Sequence, residues 1–281
     1  MKYKIVCDSG CDFNEEERKD PLFIRVPLTL TVGEEDIIDD DTFDQPSFLE
    51  KVSACPECPH SACPSPGAYL EAYDQAGDVD VIFVITLSKK LSGSYNSACA
   101  AKQMYEEEKH GNAKILVIDS RSAATGETLL AFALRRLMSE KLHLREVMQL
   151  ITEYRREMVT MFTLESVETF RKNGRMNGVT FFVANALNIK LVLYGYHGEI
   201  AKYTQAVGMK KALDKMVAGF VQQVKDPENK ILGITHCNCL ERAEEVRDKI
   251  LEKLTFSDVY IVNGGGISSL YANDGGIIIT A

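Results

Sequence analysis

Hydroxyl side chains gather around one glycine in Val81–Ser97, VIFVITLSKKLSGSYNS, the stretch of the chain best suited to chemistry. Ser88, Ser92 and Ser94 can each donate and accept hydrogen bonds, and Gly93 lets a ligand approach the backbone closely. The apolar run Val81–Thr86 reads as a buried strand, followed by a short loop and the spacing of a helix. The first amides of a helix lack intrahelical partners and carry the positive end of its dipole, so they suit an anion. The pattern predicts a small-anion site. A serine beside glycine also caps turns and helices, so these residues alone leave that reading open.

A second set of polar residues lies at other predicted strand ends: Asp8, Ser9, Asp12, Asp119 and Ser120. They could form a metal or phosphoryl site, or cap strand-to-helix turns. Asp8-Ser-Gly-Cys-Asp12 lacks the alternate-residue spacing of common phosphotransfer aspartates, so capping is the expectation, with Asp8 free to orient a ligand-binding hydroxyl from behind. The competing class is a small-molecule phosphotransferase or hydrolase that uses Asp8 and Ser92 directly. The acidic run Glu34–Asp44 lacks the spacing of a calcium loop and reads as solvated.

Eight cysteines raise the question of metal. Cys55, Cys58 and Cys63 cluster around His60 in CPECPHSAC, but no second, distant ligand pair completes a zinc site. Cys237 and Cys239 are one residue apart, a poor chelate spacing. Free thiols in a reducing compartment are expected, with no metal and no cofactor. His60 and His236 are read as surface or structural residues.

The elements that must position these groups alternate. Strands are predicted at Lys4–Cys7, Val81–Thr86, Ile115–Ile118, Ile231–Thr235 and Val259–Val262. Helices are predicted at Ser94–Glu108, Thr125–Glu140 and Glu241–Lys253. The middle of the chain reads as a strand at Thr160–Leu164, a short helix at Val167–Lys172, a hairpin of Lys190–Tyr194 with Ile200–Thr204, and a helix at Met209–Val224. This order predicts an α/β fold of two domains, residues 1–157 and 158–281. The first carries a largely parallel sheet, the second a mixed α/β arrangement. Ligands of parallel sheets bind beyond the C-terminal strand ends, where the hydroxyls and acids fall.

Composition excludes several classes. The apolar fraction is 45% and the charged fraction 26%, as in ordinary soluble globular proteins. A net charge of −9 without a basic stripe argues against nucleic acid. The longest apolar run falls short of the roughly 18 residues of a membrane span, so no membrane insertion is expected. MKYKIVCDSG enters a strand pattern directly, without an export signal, and a cytoplasmic location is expected.

Five segments, taken in order, resemble the DegV family of bacterial fatty-acid-binding proteins: IVCDSGCD (Ile5–Asp12), SACPSPGAY (Ser61–Tyr69), ITLSKKLSGSYNSA (Ile85–Ala98), VIDSRSAATG (Val117–Gly126) and ETFRKNGRMNG (Glu168–Gly178). The resemblance implies two α/β domains enclosing one long-chain fatty acid. Its carboxylate would be held by the hydroxyls of Ser61 and Ser92 and the backbone of Gly93. It further implies a carrier rather than an enzyme, which presents the acid to a separate fatty acid kinase for acyl-phosphate formation in phospholipid synthesis. Arg175 corresponds to the arginine implicated in that step.

The chain departs from the family pattern where Ser61 replaces threonine, Ala62–Cys63 replaces Ser-Gln and Asn173 stands at a frequent glycine. The C-terminal NGGGISSLYANDGG lacks a histidine that other members place there. Carboxylate binding survives these departures better than kinase docking. A binding module for another carboxylate is a third reading. For the acyl chain, the candidate walls are Phe181, Phe182, Ala184, Leu187 and Ile189, with Phe162 and Leu164 nearby. An ordinary core presents the same stripe.

Overall fold

The computed structural model describes residues 1–107, 111–176 and 188–281. The chain begins β1 (Tyr3–Asp8), α1 (Glu15–Lys19), β2 (Phe23–Val26), β3 (Thr29–Val32), β4 (Glu35–Ile38), α2 (Gln45–Ala54) and β5 (His60–Ala62). It continues α3 (Pro66–Gln75), β6 (Val81–Thr86), α4 (Ser94–Glu107), β7 (Lys114–Asp119), α5 (Thr125–Ser139) and α6 (Leu144–Glu157). Then follow β8 (Thr160–Thr163), α7 (Glu168–Lys172), β9 (Ile189–Tyr196), β10 (Glu199–Val207), α8 (Met209–Gln223), β11 (Ile231–His236), α9 (Leu240–Leu251), β12 (Asp258–Asn263), α10 (Gly266–Ala272) and β13 (Ile277–Thr280).

Every residue of β6 is buried, because this strand is covered on both faces. Val81, Phe83 and Ile85 face α5 and α6, where Leu130, Leu134, Val147 and Ile151 complete one core. Ile82 and Val84 face α3 and α4, against Tyr69, Tyr73, Ala98 and Ala101. The sheet order is β2-β1-β6-β7 and all three pairings are parallel. The second sheet, β10-β9-β8-β13-β11-β12, is antiparallel except between β11 and β12. The fold class is therefore the α/β arrangement expected, a parallel sheet followed by a mixed one. A third, small antiparallel sheet, β4-β3-β5, pairs Leu30 with Ser61.

Helix α5 sits between the two large sheets. Its Thr125 amide donates to Thr235 Oγ1 at 3.2 Å, and Gly233 of β11 lies so close that a Cβ there would come within 2.9 Å of Thr125. Opposite, two buried aspartates grip the Gly264–Gly266 turn that opens α10. Asp12 accepts from the Gly265 amide at 2.8 Å, Ser268 Oγ at 2.8 Å and Thr235 Oγ1 at 2.9 Å. Asp39 accepts from the amides of Gly266 at 2.7 Å and Ile267 at 2.9 Å. This corrects the reading of Glu34–Asp44 as a solvated loop: β4 lies within it and Asp39 is fully buried, because its partners lie far along the chain. Gly266 must be glycine, since a Cβ would meet Leu30 Cδ1 at 2.6 Å. Among the described residues, no helix is long and apolar enough to cross a membrane.

Burial raises Asp12 to about 6, against the lowering effect of its three hydrogen bonds and with a small rise from Asp39. The unfolded chain releases this proton near pH 4, the native protein near pH 6. Between those values the native state binds more protons, so Asp12 makes stability fall as pH rises from about 4 to about 6, by about 3 kcal/mol, and flat above. An NMR titration of the Asp12 side-chain carboxyl carbon should give a midpoint near pH 6. A midpoint at the ordinary aspartate value near 4 contradicts this.

Candidate functional site

A cavity of about 370 Å³ lies where the C-terminal ends of β1, β6 and β7 face the second sheet. That volume is within the range of small-molecule sites. From the first sheet it takes Gly10, Leu87, Leu91 and Ala123, from the second Phe162, Leu164, Ile200 and Ile278. The tip of the β9–β10 hairpin closes one side. Ser88 Oγ donates to the Gly198 carbonyl at 2.6 Å, and Lys90 pairs with Glu199 at 3.3 Å. Gly198 has φ +87°, and a Cβ would come within 2.7 Å of Ser88 Oγ, so the contact depends on glycine.

Polar groups collect where β5, the start of α4 and α10 converge. Ser61, Ser92, Gly93, Arg175 and Tyr271 all line the cavity. Ser61 is fixed by the pairing of β5 with β3, and its Oγ lies 3.1 Å from Tyr271 Oη. Ser92 Oγ accepts from the Ser94 amide at 3.2 Å and lies 3.1 Å from Ser94 Oγ. Gly93 packs under Cys63, where a Cβ would meet the sulfur at 2.8 Å. The Arg175 guanidinium bonds the Asn173 carbonyl at 2.6 Å and the Leu91 carbonyl at 3.4 Å, and stands over the Tyr271 ring at 6.0 Å. Neutral hydroxyls and the amides at a helix start can hold an anion with charge-assisted hydrogen bonds. The surrounding leucine, isoleucine and phenylalanine side chains offer it an apolar tail site.

Behind this floor lies a buried acid pair. Asp8 is inaccessible to solvent and accepts from the Leu87 amide at 2.9 Å and the Gly10 amide at 3.1 Å. Ser94 bonds Asp8 in turn, which links Ser92 to the carboxylate through one hydroxyl. Burial raises Asp8, and its hydrogen bonds work against that rise. Burial, then the charge of Asp8, pushes the neighbouring Glu127 well above the ordinary carboxyl range, so Glu127 keeps its proton at neutral pH. Asp8 does not line the cavity, and its oxygens face backbone amides rather than open space. The geometry therefore does not support direct chemistry by Asp8 with Ser92.

Of the hydroxyl loop, Ser92 and Gly93 reach the cavity, whereas Ser88 holds the hairpin and Ser94 is buried. Asp119 caps its turn, accepting from the amides of Lys89 and Arg121 at 3.1 Å each. Phe162 and Leu164 line the cavity. Ile189 does not: it opens β9 opposite Val207, six residues or about 20 Å along the strand from the cavity-lining Gly195. Phe181, Phe182, Ala184 and Leu187 lie outside the described residues. All eight cysteines are free thiols, and among the described residues no group of three or more metal-ligating side chains forms. His236 Nδ1 accepts from the Cys239 amide at 3.2 Å, a structural role. Sequence reasoning missed Tyr271, Phe170 and the hairpin glycines. The glycine run before Tyr271 was the available signal, because repeated glycine marks a close backbone approach.

The DegV family model, described as "Uncharacterised protein, DegV family", matches residues 2–281. A DegV domain-containing protein of Streptococcus gordonii is 38% identical over 284 residues, covering 99% of this chain and 98% of the relative. A DegV family crystal structure from Ruminococcus gnavus with vaccenic acid superposes with a TM-score of 0.95 at 41% identity, covering 100% of this chain and 99% of the other. The Streptococcus pneumoniae Fatty Acid Kinase (Fak) B3 protein loaded with linoleic acid gives 0.87 at 32% identity, covering 100% and 99%. A DegV family protein from Eubacterium eligens loaded with heptadecanoic acid gives 0.88 at 31% identity, covering 99% of each chain. With the family matched over nearly its whole length, the chain belongs to the DegV family.

Proposed function

We propose that this protein is a cytoplasmic carrier that binds one long-chain fatty acid and is not itself an enzyme. The observation that carries this reading is a largely apolar cavity of about 370 Å³ with a hydroxyl cluster beside a helix start. Ser61 and Ser92 donate to the carboxylate, and the Gly93 backbone completes its cradle. Phe162 belongs to the acyl-chain wall, where each buried methylene contributes about 0.8 kcal/mol. The acid lies between a domain of residues 1–157 and one of residues 158–281. Fatty acids bound in the Ruminococcus, Streptococcus and Eubacterium proteins support the ligand class. Neutral donors also avoid the desolvation cost of burying a full positive charge beside the ligand.

In this reading the carrier presents the carboxylate to a separate fatty acid kinase, which forms the acyl phosphate for phospholipid synthesis. The Streptococcus neighbour, named as a fatty acid kinase protein, supports such a partner. Arg175 is its proposed contact, since a guanidinium fork suits a phosphate-bearing surface.

Two variants test this. Ser61→Ala with Ser92→Ala should weaken palmitic acid binding roughly 10- to 100-fold, read by displacement of a fluorescent fatty acid. Undiminished retention by the double variant sinks the carboxylate assignment. Arg175→Ala should bind palmitic acid within about threefold of wild type but yield at least tenfold less acyl phosphate with a fatty acid kinase and ATP. Equal yield from both proteins removes Arg175 from the partner surface.

A further inference from the structure

Tyr271 lines the cavity and faces Ser61 across 3.1 Å. Its ring is held on two sides, stacked on Phe170 with centroids 4.6 Å apart and covered by the Arg175 guanidinium at 6.0 Å. The helix that carries it is itself gripped by Asp39 and Asp12. The phenol is thus a fixed group beside a hydroxyl that has other work to do.

A serine hydroxyl has one proton to give. If Ser61 spends it on Tyr271, none is left in that hydroxyl for an anion. If the phenol donates instead, Ser61 Oγ becomes an acceptor on one side and its own proton turns to the cavity. A bound carboxylate favours this second order, because each O–H then points towards the negative charge and the bonds polarise one another. A neutral oxygen draws much less from the same relay.

We propose that Tyr271 is a positioning residue for carboxylate recognition: its O–H donates to Ser61 Oγ and directs the serine proton onto the bound acid. The inference rests on the fatty-acid reading above. Through Ser61, Tyr271 discriminates an ionised acid from a neutral lipid of the same chain length.

The test compares palmitic acid with 1-hexadecanol on wild type, Tyr271→Phe, Ser61→Ala and the double variant, at pH 7.5, by displacement of a fluorescent fatty acid. Phenylalanine keeps the ring between Phe170 and Arg175. Tyr271→Phe should lose about tenfold for palmitic acid and stay within twofold for the alcohol, and adding it to Ser61→Ala should cost nothing further. Equal loss for acid and alcohol, or additive losses in the double variant, overturns the relay while leaving the carrier reading intact. A wild type that binds neither lipid overturns the carrier reading and the relay together.

Discussion

Everything at this site depends on two buried aspartates holding a glycine turn. Asp12 comes from the loop after β1 and Asp39 from the loop after β4, yet both end on the backbone and hydroxyls of Gly265–Ser268. Asp12 also reaches Thr235 at the end of β11. One carboxylate thus ties the first sheet's loops to the second sheet and to α10. A buried carboxylate without such partners would be costly, so these amides and hydroxyls are obligatory rather than decorative. The turn can approach only because its residues lack side chains.

From that clamp the cavity follows. With α5 wedged between the sheets and α10 fixed, the C-terminal strand ends face the hairpin tip across an enclosed apolar space. Ser88 and Lys90 hold the hairpin to the first sheet's loops. The polar end is assembled from three distant pieces of chain, carrying Ser61, Ser92 and Tyr271. Protonated Glu127 behind it limits the negative charge that an incoming carboxylate would meet.

The sequence was legible where chemistry and folding are local. Val81–Ser97 shows its strand, loop and helix through one apolar run and one glycine-hydroxyl cluster, and the structure has β6 and α4 there. The β9–β10 hairpin, α8 and the alternation of β11, α9 and β12 were legible for the same reason. Asp39 was not, because an acidic run reads as solvated while its amide partners lie more than two hundred positions away. Tyr271 was hidden in the same manner, since its bond to Ser61 joins residues 210 apart. Ile189 misled for a different reason. It shares a strand face with Leu191 and Leu193, but period alone does not say how far along the strand the cavity ends.

The central claim is that this space holds a long-chain fatty acid, and mass spectrometry of small molecules extracted from the freshly purified, denatured protein tests it most directly. The account predicts one long-chain fatty acid per chain, recovered with the protein or after incubation with fatty acids. No acid in either case, or a stoichiometric ligand without an acyl chain, would contradict it.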